Sequence, residues 1–511
     1  MGARAPPAVC DAPPVEIDLA PLFRASRNRA SGWRRMPSIA ADAMVATSHP
    51  LATSAGLRAL EQGGNAVDAA LAAAAMLTVT EPTENGIGGD AFALVWAGGS
   101  MHGLNGSGRS PAALRGQTVE QTGPRSVTVP GAVRLWADLA ARFGTRGLDA
   151  AVGPAAAAAL SGVACTARVA DKWGRAARAP WPAPAAGERY RLPELAGTLR
   201  RIAEDGPDAL YRGEVAAAIA AVTWLDEDDL ADHTSEWVEP LRRAYRGVDV
   251  CELPPNGQGV AALLALALYD GLEPGLHSEI EAMKLAFADA RAVVHDGPLP
   301  AGLFAEERLA ARRALVRPDR AGDASFRLPC GGTTYLCAVD GDGMAVSLIQ
   351  SVYQSFGSGV VAPGTGVVLQ NRAAGFSADT GHPNALAPAT RPFHTIIPGM
   401  LVHDGALLGP FGVMGGPMQP QAHFQVVRRL VDEGDDPQAA LDAPRWRVEE
   451  DGYVELEPGL ADLVPGLRAL GHDARVGVVQ HPFGVGQMIL RLGGGLIAGS
   501  DGRGDGYAAG L

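Results

Sequence analysis

Cys330-Gly331-Gly332-Thr333-Thr334-Tyr335 is the point where a loop runs into two glycines and a threonine opens a β-strand. From there the pattern has period two: Thr333 to Asp340 reads as a strand, Gly341-Asp342 as a tight turn, and Ala345 to Phe356 as the returning strand. The two glycines let the backbone approach its neighbours closely and take up strained dihedrals. Such a geometry allows a hydroxyl to attack the carbonyl of the residue before it. Attack of Thr333 Oγ on the Gly332 carbonyl, an N-to-O acyl shift and hydrolysis would cut the chain and leave Thr333 as a new N-terminus. A threonine hydroxyl is a weak nucleophile that needs an adjacent base, and the freed α-amine of the same residue can serve. That amine titrates near ~7.7–8.0, close to where a general base works best. The hairpin places Thr333 opposite Gln350 or Ser351, so Ser351 can bond the nucleophile or its amine. The same residues also fit an ordinary turn before a strand, and the pattern by itself leaves both readings open.

Upstream of this hairpin the chain reads as helical. His49-Pro50 precedes a helix with apolar positions Leu51, Ala55, Leu57 and Leu60, ended by Gly63-Gly64. Asn65 caps a second helix, Ala66 to Val79, whose all-round apolarity predicts an interior position. The turn Glu84-Asn85-Gly86-Ile87-Gly88-Gly89-Asp90 and the strand Ala91 to Trp96 follow. Thr118 to Pro300 reads as mostly helical, with a Pro/Ala-rich joint at Ala179 to Pro184 and an amphipathic helix at Glu279 to Val294. Downstream, Gly366 to Leu369, Leu401 to Leu408, Tyr453 to Leu456 and Gln487 to Leu492 read as strands, and Gln421 to Asp432 as a helix. Helical layers first and strands later predict one composite sandwich. Residues 1–40, Pro- and Arg-rich, read as a tail.

Composition narrows the function. With 511 residues, 47% hydrophobic, 19% charged and a net charge of −13, the chain has room for a large core and no basic run to grip nucleic acid or an anionic membrane. The longest apolar run, Ala69 to Val79, is too short to span a bilayer, and no stretch of the first fifty residues resembles a signal-peptide core, so the cytoplasm is the expected location. Five scattered cysteines without a C-x-x-C spacing exclude a zinc ribbon, a redox pair and a dense disulfide framework. Gly86-x-Gly88-x-x-Ala91 follows a helix and precedes a strand, the reverse of a dinucleotide loop. No cofactor and no metal are expected; His382 and His394 read as structural or substrate-facing. The expected partners are a small-molecule amide and, after cleavage, the chain's own two segments, with a homo-oligomer compatible.

Several longer motifs fall in a fixed order: Met44-Val45-Ala46-Thr47-Ser48-His49-Pro50-Leu51-Ala52, Gly63 to Ala70, Gly86-Ile87-Gly88-Gly89, Ile280 to Phe287, Thr333-Thr334, Phe356-Gly357-Ser358-Gly359, Pro363-Gly364-Thr365-Gly366 and Asp501-Gly502-Arg503-Gly504-Asp505-Gly506. With them the chain resembles, from Met44 to its end, the γ-glutamyltransferase (glutathione hydrolase) family of N-terminal-nucleophile hydrolases. The resemblance implies an α+β fold, a four-layer αββα sandwich built as one composite domain from two autoprocessed segments, 41–332 and 333–511. It implies cleavage between Gly332 and Thr333, with Thr333 as the nucleophile and Ser351 standing where the family has a supporting threonine. It also gives Gly415-Gly416 as the backbone amides of the oxyanion hole, a task for donors fixed in advance at the developing charge.

The substrate-reading positions depart from the family. Ser107 stands where the family has an Arg, with Arg109 two residues on; Tyr353 replaces an Asn; Arg372 stands where a Gln or Glu is expected; Gly375 replaces the Asp for the substrate's α-ammonium; His394-Thr395 replace a Ser pair. Losing that Asp removes a charge-assisted contact of roughly 1.5–3 kcal/mol, and Arg372 repels an ammonium and welcomes a carboxylate. Arg109, Tyr353, Arg372, His394 and Thr395 are therefore the candidate substrate-binding residues. The expected donor is an amide whose acyl part carries a carboxylate and lacks a free α-amine. Asn371-Arg372, Gly375-Phe376-Ser377, His382 to Leu386 and Arg391 to Pro398 resemble the oxamate amidohydrolase branch of the family. Two alternatives stand beside it: a γ-glutamyl hydrolase and transferase using glutathione-like donors, and an unprocessed, inactive scaffold.

Overall fold

The structure, a computed structural model, describes residues 35–114, 116, 118–322, 331–450, 452–477 and 483–511. Cys330 and the first 34 residues of the expected tail lie outside the described residues.

Local chemistry starts the early helices. In α1 (Pro50–Glu61) the His49 ring accepts from the Leu51 amide, and proline occupies the first turn, where its missing donor costs nothing. Helix α2 (Ala66–Thr80) opens on a reciprocal capping box between Asn65 and Asp68. Asp340 Oδ2 takes the Ala66 amide at 2.9 Å, so the turn that follows the Thr333 strand also caps this helix. Every residue of α2 is buried, which accounts for its lack of a polar stripe. Further along, α3 (Ala167–Arg175) is capped by Thr166 and packs Trp173 against Phe356, with ring centroids 5.2 Å apart.

Two seven-stranded sheets carry the fold. In chain order their strands are β1 (Ser38–Ala40), β2 (Met44–Thr47), β3 (Asp90–Ala97), β4 (Ser100–Gly106), β5 (Glu236–Val238), β6 (Leu241–Tyr245), β7 (Val248–Glu252), β8 (Gly332–Val339), β9 (Ala345–Tyr353), β10 (Gly399–His403), β11 (Ala406–Met414), β12 (Val485–Leu492), β13 (Gly495–Ser500) and β14 (Tyr507–Gly510). One sheet runs β14-β2-β8-β9-β3-β4-β5 and the other β1-β13-β12-β11-β10-β7-β6.

Period-two alternation sorts these strands' side chains into layers. Phe92, Leu94, Tyr335, Cys337, Ile349 and Met400 fill the space between the sheets. Their neighbours Ala91, Ala93, Leu336, Ala338 and Leu348 share a core with α1 and α2. Beyond the second sheet, Leu401, Phe411, Val413 and Met488 pack with α4 (Gly259–Tyr269), α5 (Leu276–Val293) and α6 (Met418–Arg428). The result is a helix–sheet–sheet–helix α+β sandwich, as the resemblance implies. Strands from both sides of residue 332 alternate in the first sheet, so both sides of that bond belong to one packed unit.

Several expectations need correction. The mostly helical middle contains β5, β6 and β7, and β1 falls inside the expected tail. Leu401 to Leu408 is not one strand: β10 and β11 fold back on each other through Asp404-Gly405. The hairpin turn is wider than Gly341-Asp342; β8 ends at Val339 and β9 begins at Ala345, with Asp340 Oδ1 accepting from the Asp342 and Met344 amides. Among the described residues no helix is long and apolar enough to cross a membrane, and Cys165, Cys251 and Cys337 are free and buried.

Candidate active site

The β8–β9 ladder pairs Gly332 with Tyr353 and Thr334 with Gln350, and its register shifts between the two. Ser351 and Val352 therefore oppose the single residue Thr333, a β-bulge of the kind that re-aims side chains. Thr333 is 1% exposed. Its hydroxyl donates to the Gly332 carbonyl at 2.7 Å, and Ser351 Oγ donates to the same oxygen at 2.6 Å. Ser351 Oγ in turn accepts from the Tyr353 amide at 2.8 Å and from Arg372 Nη2 at 3.0 Å. The carbonyl before Thr333 thus faces two hydroxyls, one of them polarised by a cation, an arrangement suited to a carbonyl under nucleophilic attack.

Gly415-Gly416 lies between β11 and α6, where Met418 and Gln419 amides bond back to their carbonyls. Gly416 has φ 59°, and a Cβ there would come within 2.9 Å of the Gly331 nitrogen. Only glycine permits that approach. Among the described residues neither the Gly415 nor the Gly416 amide has a hydrogen-bond acceptor.

Arg372 is fully buried. Among the described residues its guanidinium bonds two hydroxyls, Ser351 Oγ and Thr395 Oγ1 (2.9 Å), and lies 4.3 Å from the centroid of the Tyr353 ring. Burial lowers its pKa to about 10, opposed by the charge of Asp90. Asp90 is pushed up to about 7, chiefly by burial and against the pull of Arg372. Its carboxylate accepts from the Gly108 and Gly131 amides and meets His394 Nε2 at 3.2 Å. His394 Nδ1 accepts from the Ile396 amide, which fixes the tautomer, and burial holds the ring neutral.

The structure brings together Gly332, Thr333, Ser351, Tyr353, Arg372, Thr395, Gly415 and Gly416. His394 lies behind Arg372 with its ring 4.7 Å from that of Phe92. Arg109 is placed differently: it is ion-paired with Asp296 at 2.7 Å and bonds the Ala389 carbonyl. His382 is satisfied by the Arg291 carbonyl and the Asn384 amide.

Two residues that sequence reasoning did not single out touch the nucleophile. Gln419 Nε2 lies 3.4 Å from Thr333 Oγ1, and Glu84 Oε2 accepts from the Thr333 amide at 3.1 Å. The same Glu84 oxygen is ion-paired to Lys172 of α3 at 2.8 Å. The φ of Gly332 is not in the left-handed region; a Cβ there would lie 2.7 Å from Glu84 Oε2, so any larger residue must push this carboxylate away from the Thr333 amide. A Gly332→Val chain should therefore mature several-fold more slowly in a gel time course, and an unchanged half-time would remove this argument.

The chain matches the γ-glutamyltranspeptidase family model over residues 52–511. It is 34% identical to the glutathione hydrolase-like YwrD proenzyme of Bacillus subtilis (strain 168), covering 92% of this chain and 98% of that one. Identity to the oxamate amidohydrolase proenzyme of Klebsiella pneumoniae subsp. pneumoniae is 33%, over 93% of this chain and 99% of the other. Among solved structures, the cephalosporin acylase from Bacillus halodurans is 44% identical and superposes with a TM-score of 0.89, covering 94% of this chain and 98% of that chain.

Proposed function

The chain belongs to the γ-glutamyltranspeptidase family of N-terminal-nucleophile hydrolases, and from that premise we propose that it is a self-processing amidohydrolase for small acyl groups that carry a carboxylate, oxamate-like in size and charge. Maturation begins with attack of Thr333 Oγ on the Gly332 carbonyl carbon. The C–N bond breaks, the nitrogen gains a proton, and Gly332 is held as an ester on Thr333. Water then releases the Gly332 carboxylate and restores the Thr333 hydroxyl, leaving segments 1–332 and 333–511. In the mature enzyme the Thr333 α-amine takes the hydroxyl proton as Oγ attacks the substrate amide. Gly415 and Gly416 amides hold the oxyanion, the protonated amine gives its proton to the departing nitrogen, and water hydrolyses the acyl ester.

The observation that carries the substrate class is Arg372, a buried cation whose guanidinium bonds hydroxyls beside the nucleophile. A carboxylate placed there gains a charge-assisted partner. Gly375 supports the same reading. A Cβ at this position would lie 2.6 Å from the Phe393 carbonyl oxygen, so an aspartate for an α-ammonium has no room. The Klebsiella relative's name favours an oxamate-like donor, whereas the Bacillus relative's name favours the γ-glutamyl alternative.

Ammonia release from oxamate, measured against anilide release from a γ-glutamyl anilide, separates the two. We expect kcat/KM to favour oxamate by at least about tenfold, the smallest value a lost charge-assisted contact gives. Turnover of the anilide alone would overturn the role given to Arg372 and Gly375.

A further inference from the structure

Glu84 and Lys172 occupy a position that the mechanism above leaves unused. Glu84 sits in the turn after α2, and its Oε2 receives both the Thr333 N–H (3.1 Å) and the Lys172 ammonium (2.8 Å). This carboxylate side chain is 8% exposed and the lysine side chain 25%. Thr333 N is an amide in the intact chain and, once cut, becomes the amine that must shuttle protons. Resting on the reading of Thr333 as the mature nucleophile, we propose that Glu84 is a catalytic residue that holds the Thr333 α-amine and that Lys172, acting through Glu84, is the positioning residue that sets the pH at which this amine becomes a base.

A lone carboxylate 3 Å from an ammonium stabilises its protonated form and would keep the amine loaded at neutral pH. Lys172, sharing the same oxygen, cancels part of that field and returns the amine toward its ordinary range near ~8. The surroundings maintain this balance. Arg168, also on α3, and Glu81, at the end of α2, are the other charges acting at Lys172. Glu81 is bonded to Ser48 and pushed up to about 7, chiefly by burial. Arg372 reaches the site through Ser351, and Asp90 acts on Arg372. Gln419, which touches the hydroxyl, is uncharged. Glu84 therefore supplies the acceptor for the amine, and α3 delivers the cation that moderates it.

The unprotonated amine is the working base, so activity rises as pH passes its pKa. Removing Lys172 leaves Glu84 uncompensated, raises that pKa and moves the acidic limb of the kcat/KM profile to higher pH. Removing the Glu84 charge does the reverse. In mature enzyme we expect Lys172→Met to shift the limb up by about 0.5–1 pH unit, Lys172→Arg to restore it, and Glu84→Gln to shift it down by a similar amount. Should Glu84→Gln fail to mature, the Lys172→Met and Lys172→Arg pair decides, together with direct NMR titration of the labelled Thr333 amine. Mature, active variants whose limb stays in place, or moves in one direction for both charge removals, overturn this proposal. A Thr333→Ala chain that still turns over substrate overturns instead the reading on which it rests.

Discussion

A Thr333→Ala chain should run on a denaturing gel as one band at the full 52.6 kDa, however long it is incubated, while the parent resolves into two. Its amide hydrolysis should fall by about four orders of magnitude or more, the scale seen when a nucleophile is removed outright. Both losses follow from one atom, because Oγ attacks Gly332 in the precursor and the substrate in the mature enzyme. The variant should still fold. Alanine keeps the N–H that bonds Glu84, stays in the same β8 ladder, and costs about 1–2 kcal/mol for one hydroxyl and one methyl. Thr333→Ser retains both hydroxyl and future amine and should mature and turn over. A cleaved Thr333→Ala chain would assign the cut to another residue. A persistent single band for the parent would favour the inactive-scaffold reading.

How far the sequence reveals this machinery depends on whether the deciding interaction is local. The β8–β9 hairpin is legible because its strands alternate in period two and meet within a few residues. Helix α2 is legible because Asn65 and Asp68 form its cap over three positions. Strands β6 and β7 are not, since Arg242, Arg243 and Asp249 interrupt the apolar pattern, and β6 is the edge strand of its sheet. Glu84 was unreadable for a different reason. It looks like any acidic turn residue, and its meaning comes from Thr333, 249 positions away in sequence, and from Lys172 on a third element. Arg109 shows the converse, a well-spaced cation whose distant partner, Asp296, draws it into an ion pair.

Arg372 is where local reading and tertiary structure converge, and its removal should produce the second large effect. Arg372→Met should lower kcat/KM for an oxamate-like donor by about 10²–10³-fold, the usual consequence of deleting one partner of a buried charge-assisted contact. The loss should appear mainly in KM for donors bearing a carboxylate, and amides without one should change far less. The neighbouring charge can adjust to the change. Arg372 and, more weakly, Arg391 are the charges that pull Asp90 down; without Arg372, burial raises Asp90 further and favours its protonated form. Arg372→Lys should fall between parent and Met, because a compact ammonium cannot span both Ser351 Oγ and Thr395 Oγ1 as the guanidinium does. Maturation supplies a separate readout. The Ser351 hydroxyl on the Gly332 carbonyl loses its cationic donor, so the precursor of the Met variant should also be cut more slowly. Equal losses for charged and uncharged donors would show that Arg372 acts only through Ser351, and the carboxylate specificity would then have to be sought elsewhere in the site.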